Sequence, residues 1–314
     1  MKNKDIIMAR PLVSICTITY NHEAYVKQCL DGILMQQCNF PIEIIINDDH
    51  STDCTKDILN EYASKYPEVI KVEHNPKNLG SNANFNHNLS RARGKYIALC
   101  EGDDYWIDSR KLQRQVDFLE SHPEYSLTCT NACVLGLEGD MNWKRYDKDC
   151  VIPLKDIILK RGAWIYTASM LYRRELMQDF PDYARQCHVG DYPWAIHLAL
   201  RGKVYFFADK MVTYRFMTPG SWSSTTKINE GYFNAWCSEI RMLQGYNKAS
   251  NERYCKYFER VMGKLAIFYL RKVPSMKNKV LEVLPDFPKW LDLGDKLKWW
   301  KIKLGVKSSK YAAS

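Results

Sequence analysis

The chain has 314 residues, of which 46% are hydrophobic and 26% charged, a composition typical of globular proteins. Its 45 basic and 36 acidic residues give a formal net charge of +9, but the two signs are intermingled along most of the chain. Nucleic-acid binding favours basic and aromatic residues interleaved on one surface, so this pattern argues against a nucleic-acid partner. No window reaches the roughly 20 apolar residues that a membrane span requires. We therefore expect a cytoplasmic protein.

The eleven cysteines are scattered and include no CxxC pair or Cys/His grouping at zinc spacing. The first residues, MKNKDIIMARPLVS, lack the apolar core of a signal peptide. The cysteines are therefore predicted to be reduced thiols that pack as small apolar side chains.

The first part of the chain alternates strand-like and helix-like segments. The predicted strands are LVSICTITY (12–20), IEIIINDD (42–49), VIKVEHN (69–75) and KYIALC (95–100). The segments with helical spacing of apolar residues are NHEAYVKQCLDGILMQQ (21–37), HSTDCTKDILNEYASKY (50–66), SNANFNHNLSRARG (81–94) and SRKLQRQVDFLESHP (109–123). The second of these begins with Ser51, Thr52 and Asp53, which are predicted to cap the helix. The alternation predicts an α/β fold with a mostly parallel sheet and helices on both faces.

The second part is less regular. Strands are predicted at SLTCTNACVLG (126–136), WIYTASMLYRR (164–174) and KVYFFADKMVTYR (203–215), with a helix at YPWAIHLALRG (192–202). From about residue 231 onward the pattern is helical. We expect one α/β domain over residues 1–230 and a C-terminal helical extension over 231–314.

Three polar clusters, TITYN (17–21), NDD (47–49) and EGDD (101–104), lie at the carboxyl ends of predicted strands. In open parallel sheets, ligands bind at the carboxyl ends of the strands, so these clusters are expected to share one edge. Carboxylates held so close together repel one another unless a cation compensates. No glycine-rich turn follows the first strand to cradle phosphates, whereas carboxylates can hold Mg²⁺ or Mn²⁺ against phosphate oxygens. These clusters predict a divalent cation and a nucleotide diphosphate.

The same segments closely resemble the nucleotide-sugar-binding half of family 2 glycosyltransferases, which are inverting enzymes of the GT-A fold. The resemblance is close over residues 11–118 and looser to about residue 224. It implies a nucleotide-sugar-binding half at 11–124 and an acceptor half at 125–230. It also implies transfer of one sugar from a UDP-sugar to a hydroxyl of a glycan or lipid-linked acceptor in cell-surface polysaccharide synthesis, with Mn²⁺ or Mg²⁺ as cofactor.

The resemblance also implies roles for individual residues. Asp103 and Asp104 would hold the metal, Asp48 or, by preference, Asp49 would accept the uracil N3–H, and Asp191 in HVGDYPWAIHLALRG would be the catalytic base. Trp164 and Trp222 are candidates for acceptor contacts. The residues implied in nucleotide-sugar binding are Thr17, Thr19, Tyr20, Asn21, Glu23, Asp48, Asp49, Asn78, Gly80, Glu101, Asp103, Asp104 and Arg215.

Two other functions remain as alternatives: a sugar-phosphate nucleotidyltransferase and a non-catalytic glycan-binding module. The first would show a glycine-rich basic loop after its first strand, which TYNHEAY is not. The second would have lost an acidic cluster, and all of them are present.

The segment KWLDLGDKLKWWKIKLGVK (289–307) predicts an amphipathic helix. Its apolar stripe comprises Trp290, Leu293, Leu297, Trp300 and Leu304, and Lys298, Lys301 and Lys307 lie off that stripe. The last thirty residues contain seven Lys and three Asp, and so carry +4 of the net charge. The stripe either contacts an anionic membrane peripherally or packs against the protein.

Overall fold

The computed structural model describes residues 10–136, 139–140, 146–162, 165–218, 224 and 226–304. The chain divides into two compact units. Unit 1 comprises Met1–Pro153, Gly162–Phe180 and His197–Thr225. Unit 2 comprises Leu154–Arg161, Pro181–Ile196 and Thr226–Ser314.

Unit 1 is built on a ten-stranded sheet. Its strands are β1 (Val13–Thr19), β2 (Ile42–Asp48), β3 (Ile70–His74), β4 (Tyr96–Leu99), β5 (Tyr105–Trp106), β6 (Tyr125–Gly136), β7 (Gly139–Asp140), β8 (Cys150–Ile152), β9 (Leu171–Arg173) and β10 (Lys203–Arg215). The strand order is β3-β2-β1-β4-β9-β6-β10-β5, with β7 paired to β6 and β8 to β10. Neighbouring strands are parallel from β3 to β4 and between β6 and β10, and the remaining pairs are antiparallel.

Four helices follow the first strands: α1 (Val26–Leu34), α2 (Thr55–Lys65), α3 (Ser81–Ser90) and α4 (Lys111–Ser121). Strands β1, β2 and β4 are buried along almost their whole length. Strands buried in this way are covered on both faces, which explains their near-continuous apolar sequence. The predicted α/β class with a mostly parallel sheet is confirmed.

One local prediction was wrong. The segment 164–174 is not one strand, because a 3₁₀ helix at Thr167–Ser169 precedes the short β9. The N-cap position of α2 is Cys54, whose side chain makes no capping hydrogen bond. Its backbone N–H donates to Oε2 of Glu23 at 2.8 Å, while Oδ1 of Asp53, one of the predicted capping residues, accepts from the backbone N–H of Thr55 at 3.0 Å.

Unit 2 is helical in the part that the structure describes. Its helices are α5 (Leu154–Leu159), α6 (Asp182–Arg185), the first residues of α7 (Asp191–Ala199), α8 (Phe233–Ala249), α9 (Cys255–Lys272), α10 (Lys277–Val283) and α11 (Leu293–Lys303). Helices α8 and α9 pack through aromatic rings, with Trp236 and Tyr269 stacked at 5.8 Å. None of the described helices is long and apolar enough to cross a membrane.

Candidate active site

The carboxyl ends of β1, β2 and β4 bring the three polar clusters together. Thr19 is in register with Asp48, and the backbone N–H of Asp49 donates to the Thr19 carbonyl at 2.9 Å. The backbone N–H of Gly102 donates to the Ile18 carbonyl at 2.9 Å. These bonds confirm that TITYN, NDD and EGDD share one edge of the sheet, as parallel strands require.

The acidic turn, Glu101 to Asp104, lies directly on the end of β1. A Cβ atom on Gly102 would come within 2.8 Å of His22 Nδ1 and 3.0 Å of Thr19 Oγ1. Glycine is therefore needed at this position for the turn to approach the strand so closely. The lack of a side chain at Gly102 thus sets the position of the neighbouring carboxylates.

The two aspartates of the acidic turn have different surroundings. Asp104 is buried, and its Oδ1 accepts from the backbone N–H of Arg215 at 2.8 Å. Burial raises the pKa of Asp104 well above its ordinary value, and the nearby carboxylates of Asp103 and Glu101 raise it further. Asp103 is only half-buried, and its Oδ2 accepts from Thr218 Oγ1 at 3.3 Å.

Arg215 places a fixed cation beside the acidic turn. Its guanidinium lies 4.9 Å from the centre of the Tyr25 ring and 4.6 Å from that of Tyr105. It donates to the backbone carbonyl of Asp103 and to Oε1 of Gln28. A guanidinium held between two rings presents its charge in one orientation, which suits recognition of a phosphate.

The loop after β1 ties the neighbouring loop in place. Asn21 has a left-handed φ of 54°, its N–H donates to Ser51 Oγ at 2.9 Å, and its Oδ1 accepts from Thr52 N at 2.8 Å. Glu23 exchanges bonds with the same loop, because its N–H donates to Asp53 Oδ2 at 3.0 Å. Asn21 and Glu23 therefore connect the loops after β1 and β2 through hydrogen bonds.

Three buried polar atoms lie at or near the end of β1. Among the described residues, Thr17 Oγ1, Thr19 Oγ1 and His22 Nδ1 have no hydrogen-bond partner. Burial lowers the pKa of His22, which favours the neutral imidazole below the acidic turn. Tyr20, by contrast, is 42% exposed and presents its ring at the surface of the edge.

The carboxylates of Asp48 and Asp49 are both buried and both bonded to the protein. Asp48 accepts from Ser51 and lies 3.0 Å from His74 Nδ1. Asp49 accepts from Asn75 Nδ2 at 2.8 Å and from the backbone N–H groups of Leu79 at 2.8 Å and Gly80 at 2.9 Å. Asp49 therefore connects the end of β2 to the segment that contains Asn78 and Gly80.

That segment opens α3. Asn78 Oδ1 accepts from Gly80 N at 3.0 Å, and Gly80 has a φ of 82°, a conformation that glycine adopts readily. His50, in the turn after β2, has a φ of 65° and takes the same left-handed conformation with a side chain. Its Nδ1 lies 3.2 Å from the Asn75 carbonyl, which helps to hold the turn.

A ladder of buried amides anchors α3 and was missed by sequence reasoning. Asn88 Nδ2 donates to the carbonyls of Thr17 at 2.8 Å and Ile45 at 3.0 Å. Asn84 Nδ2 donates to the Asn47 carbonyl at 3.3 Å. The sequence did contain a signal for these contacts: Asn84 and Asn88 are four residues apart, and residues at this spacing occupy one face of a helix.

The oxygen ligands at this edge fit a divalent cation that shares its coordination with a substrate. Within the described part of the chain, no group of three or more His, Cys, Asp or Glu residues could hold a metal ion by itself. Mg²⁺ is usually held by one or two carboxylates together with substrate phosphates, and the half-buried Asp103 offers such a carboxylate. The edge therefore suits an ion that binds together with a diphosphate.

Asp191 lies in unit 2, at the first residue of α7. Burial raises its pKa to about 6, while the nearby Arg161 lowers this pKa and Glu239 raises it. Arg161 itself is paired with Glu239, its Nε at 2.9 Å and its Nη2 at 2.6 Å from Oε1. The Asp191 Oδ1 accepts from the backbone N–H of Tyr192 at 2.7 Å. The result is a half-buried carboxylate more basic than an ordinary aspartate.

The two acceptor candidates, Trp164 and Trp222, lie outside the described residues.

Comparison with known proteins agrees with the fold. The model of the family "Glycosyl transferase family 2" matches residues 14–180. An uncharacterized protein of Mycobacterium tuberculosis is 32% identical over 327 residues, which cover 96% of this chain and 90% of that protein.

Two solved structures share the fold. S. aureus TarS 1–349 in complex with UDP-GlcNAc has a TM-score of 0.66 at 17% identity, covering 94% of this chain and 88% of that one. The mannosyltransferase PcManGT from Pyrobaculum calidifontis, in complex with GDP-Man and Mn²⁺, has a TM-score of 0.53 at 17% identity. The match covers 97% of this chain and 83% of that one. The fold is that of the GT-A glycosyltransferases. The chain belongs to glycosyl transferase family 2.

Proposed function

We propose that this glycosyltransferase moves a single sugar from a nucleotide-diphosphate sugar, by preference a UDP-sugar, to a hydroxyl of a glycan or lipid-linked acceptor. The observation that carries this proposal is the acidic turn, packed onto the end of β1 by Gly102 and flanked by the fixed Arg215. A negatively charged turn beside an oriented guanidinium suits a metal-bound diphosphate. Cell-surface polysaccharide synthesis is the process in which we place this transfer.

The donor would bind along the edge formed by β1, β2 and β4. Tyr20 would present its exposed ring to the nucleoside, and Asp49, with Asp48 as the alternative, would accept the N3–H of uracil. TarS was solved with UDP-GlcNAc and PcManGT with GDP-Man, so both nucleotides belong in the test. Arg215 would contact the diphosphate, which carries the opposite charge.

Asp103 would hold Mn²⁺ or Mg²⁺, because it is the more accessible aspartate of the acidic turn. Asp104 would assist mainly by fixing Arg215 through the backbone N–H. When bound, the ion would neutralise the negative charge that develops on the departing diphosphate. Mn²⁺ in the PcManGT structure supports the choice of metal for a protein of this fold.

Asp191 would be the general base. The acceptor hydroxyl oxygen forms a bond to the anomeric carbon as the bond from that carbon to the diphosphate oxygen breaks. The hydroxyl proton passes to the Asp191 carboxylate, and the nucleoside diphosphate leaves. One displacement from the opposite face inverts the anomeric centre. A pKa of about 6 keeps Asp191 ionised at neutral pH while making it a stronger base than a solvated aspartate.

A donor panel tests this proposal without an acceptor. UDP-sugars and GDP-sugars are each added with Mn²⁺, with Mg²⁺ or with a chelator, and thermal stabilisation and slow donor hydrolysis are measured. We expect one nucleotide class to stabilise the protein only when the metal is present.

The variant Asp103→Asn should lose this metal-dependent stabilisation while keeping its own melting temperature. Asp117→Asn is the matched control, because Asp117 is an exposed carboxylate on α4. Equal stabilisation of Asp103→Asn and the parent would remove Asp103 from the metal site. Donor binding without any hydrolysis or transfer would favour the non-catalytic alternative.

A further inference from the structure

Helix α11 carries a stripe of large apolar side chains that the described protein leaves uncovered. Leu293 is 78% exposed, Leu297 and Trp300 are each 59% exposed, and Leu304, directly after the helix, is 55% exposed. Their spacing of four, three and four residues places them on one side of the helix. We call these four residues the α11 stripe. Trp290, predicted to belong to the stripe, instead lies half-buried in a preceding 3₁₀ helix.

The opposite side of α11 packs against its own unit. Asp295 is buried, and its N–H donates to the capping side chain of Asp292 at 3.0 Å. Trp299 is half-buried, with its ring 4.9 Å from that of Phe287. Because one side of the helix is anchored in this way, the α11 stripe has a fixed outward direction. Within the part of the chain that the structure describes, the α11 stripe therefore does not pack on the domain, contrary to the second alternative.

Lysines border the stripe on both sides. At about 100° per residue, Lys296 and Lys303 fall to one side of the stripe and Lys301 to the other. All three are exposed and make no ion pair with any described residue. Lys298, which lies away from the stripe, is the one that pairs with Asp295, at 2.6 Å. An apolar stripe with cations on both sides is the pattern of a helix that lies in a membrane interface.

We propose that α11 docks this protein onto the surface of an anionic lipid bilayer, with the α11 stripe inserted among the acyl chains. The three lysines would then contact anionic headgroups, each adding on the order of fivefold in affinity. A second copy of the chain would bring lysines against lysines along the same strip, so charge disfavours a homodimer through it. None of the residues of this surface is among those proposed to bind the donor, and the proposal goes beyond sugar transfer.

Vesicle sedimentation with the full chain tests this inference. Vesicles that contain phosphatidylglycerol should bind the protein at low salt, whereas vesicles of pure phosphatidylcholine should bind it far less. The double variant Leu297→Ser/Trp300→Ser should bind on the order of a hundredfold more weakly. At low salt, the triple variant Lys296→Gln/Lys301→Gln/Lys303→Gln should bind vesicles more weakly than the parent by a similar factor. Raising the salt concentration should then weaken the variant's binding only a little further, because the attraction that salt screens is already gone.

Two matched variants control for the removal of exposed apolar side chains and of lysine charges as such. Met35→Ser/Val151→Ser removes two apolar side chains of 38% and 44% exposure, and should bind vesicles like the parent. Lys56→Gln/Lys71→Gln/Lys248→Gln removes the same charge from other exposed positions and should weaken binding much less.

Because the α11 stripe is exposed, its double variant should melt at the parent's temperature and bind donor like the parent. The inference is overturned if the parent does not bind anionic vesicles at low salt, or if the stripe variant binds them equally well. It is also overturned if the parent is a dimer that only the stripe variant converts to a monomer, with no vesicle binding.

Discussion

Gly102 is the residue on which the geometry of the acidic turn depends most directly. In Gly102→Ala, the new Cβ would lie 2.8 Å from His22 Nδ1 and 3.0 Å from Thr19 Oγ1, closer than such atoms normally approach. The turn must then move away from β1. We expect a loss of about 1–3 kcal/mol in the free energy of unfolding. We also expect weaker metal-dependent donor binding, since Asp103 moves with the turn. Denaturant melts and donor titrations measure the two effects.

Gly294→Ala is the control for this substitution. A Cβ on Gly294 would meet its nearest atom, Asp292 Oδ1, at 3.6 Å, an ordinary contact, and alanine favours the helix that contains it. This variant should be as stable as the parent or slightly more so. Unchanged donor binding in Gly102→Ala would show that the close approach of the turn is not required.

Asp191 links catalysis to stability through its raised pKa of about 6. If it is the base, the parent's rate should fall as pH decreases below about 6, and Asp191→Asn should cost on the order of 10²–10⁴ in rate. The folded-state pKa lies above the ordinary value of 3.8, so ionisation destabilises the folded state as pH rises between these values. Asn cannot ionise. The variant should therefore melt at a higher temperature than the parent at pH 7, and the difference should vanish near pH 4.

Asp182→Asn serves as the comparison, because Asp182 is 89% exposed and also lies at the start of a helix in unit 2. It should change neither the rate nor the pH dependence of melting. A slow Asp191→Asn variant that is less stable than the parent at pH 7 would indicate a structural role. A variant that loses donor binding but turns over bound donor normally would place Asp191 on the nucleotide.

At the scale of the elements, α3 is fixed to the sheet by amides more than by apolar contact. Its buried residues are Asn84, Phe85 and Asn88, of which two are polar. Asn88→Leu removes the donor to the carbonyls of Thr17 and Ile45 in a fully buried site. We expect a loss of about 1–3 kcal/mol in unfolding free energy, measured by denaturant melts. His87→Ala on the same helix, which removes only an exposed pair with Glu73, should cost about 0.5 kcal/mol or less.

The elements that the sequence predicted well are those whose signal is local. The strands β1, β2 and β4 follow from continuous apolar runs, and the meeting of their polar ends follows from parallel pairing alone. The position of Arg215 between Tyr25 and Tyr105 depends on contacts across long stretches of chain, so no local pattern indicates it. The bond from Cys54 to Glu23 at the start of α2 was missed for the same reason, since the two residues lie 31 apart in the chain. The contacts that could not be predicted from the sequence are those between residues far apart in the chain.

At the scale of the whole molecule, the proposed donor site and the proposed membrane surface carry charges of opposite sign. The acidic turn in unit 1 places carboxylates where a metal-bound donor is proposed to bind, whereas the last thirty residues carry +4 of the net +9. Within the described part of that segment, Lys296, Lys301 and Lys303 border the α11 stripe, where an anionic bilayer would be attracted.

Truncation of the chain after Pro288, compared with the stripe variant, distinguishes the roles of the exposed and the packed side of α11. It removes the α11 stripe, but it also removes Leu291, which is 6% exposed with its Cδ2 against Gly263, and Trp299, whose ring contacts Phe287. We expect the truncated protein to lose vesicle binding and about 2–4 kcal/mol of unfolding free energy. The variant Leu297→Ser/Trp300→Ser should lose vesicle binding alone. Thermal melts and vesicle sedimentation of both proteins check this, and an equal drop in melting temperature would mean that the stripe is part of the core.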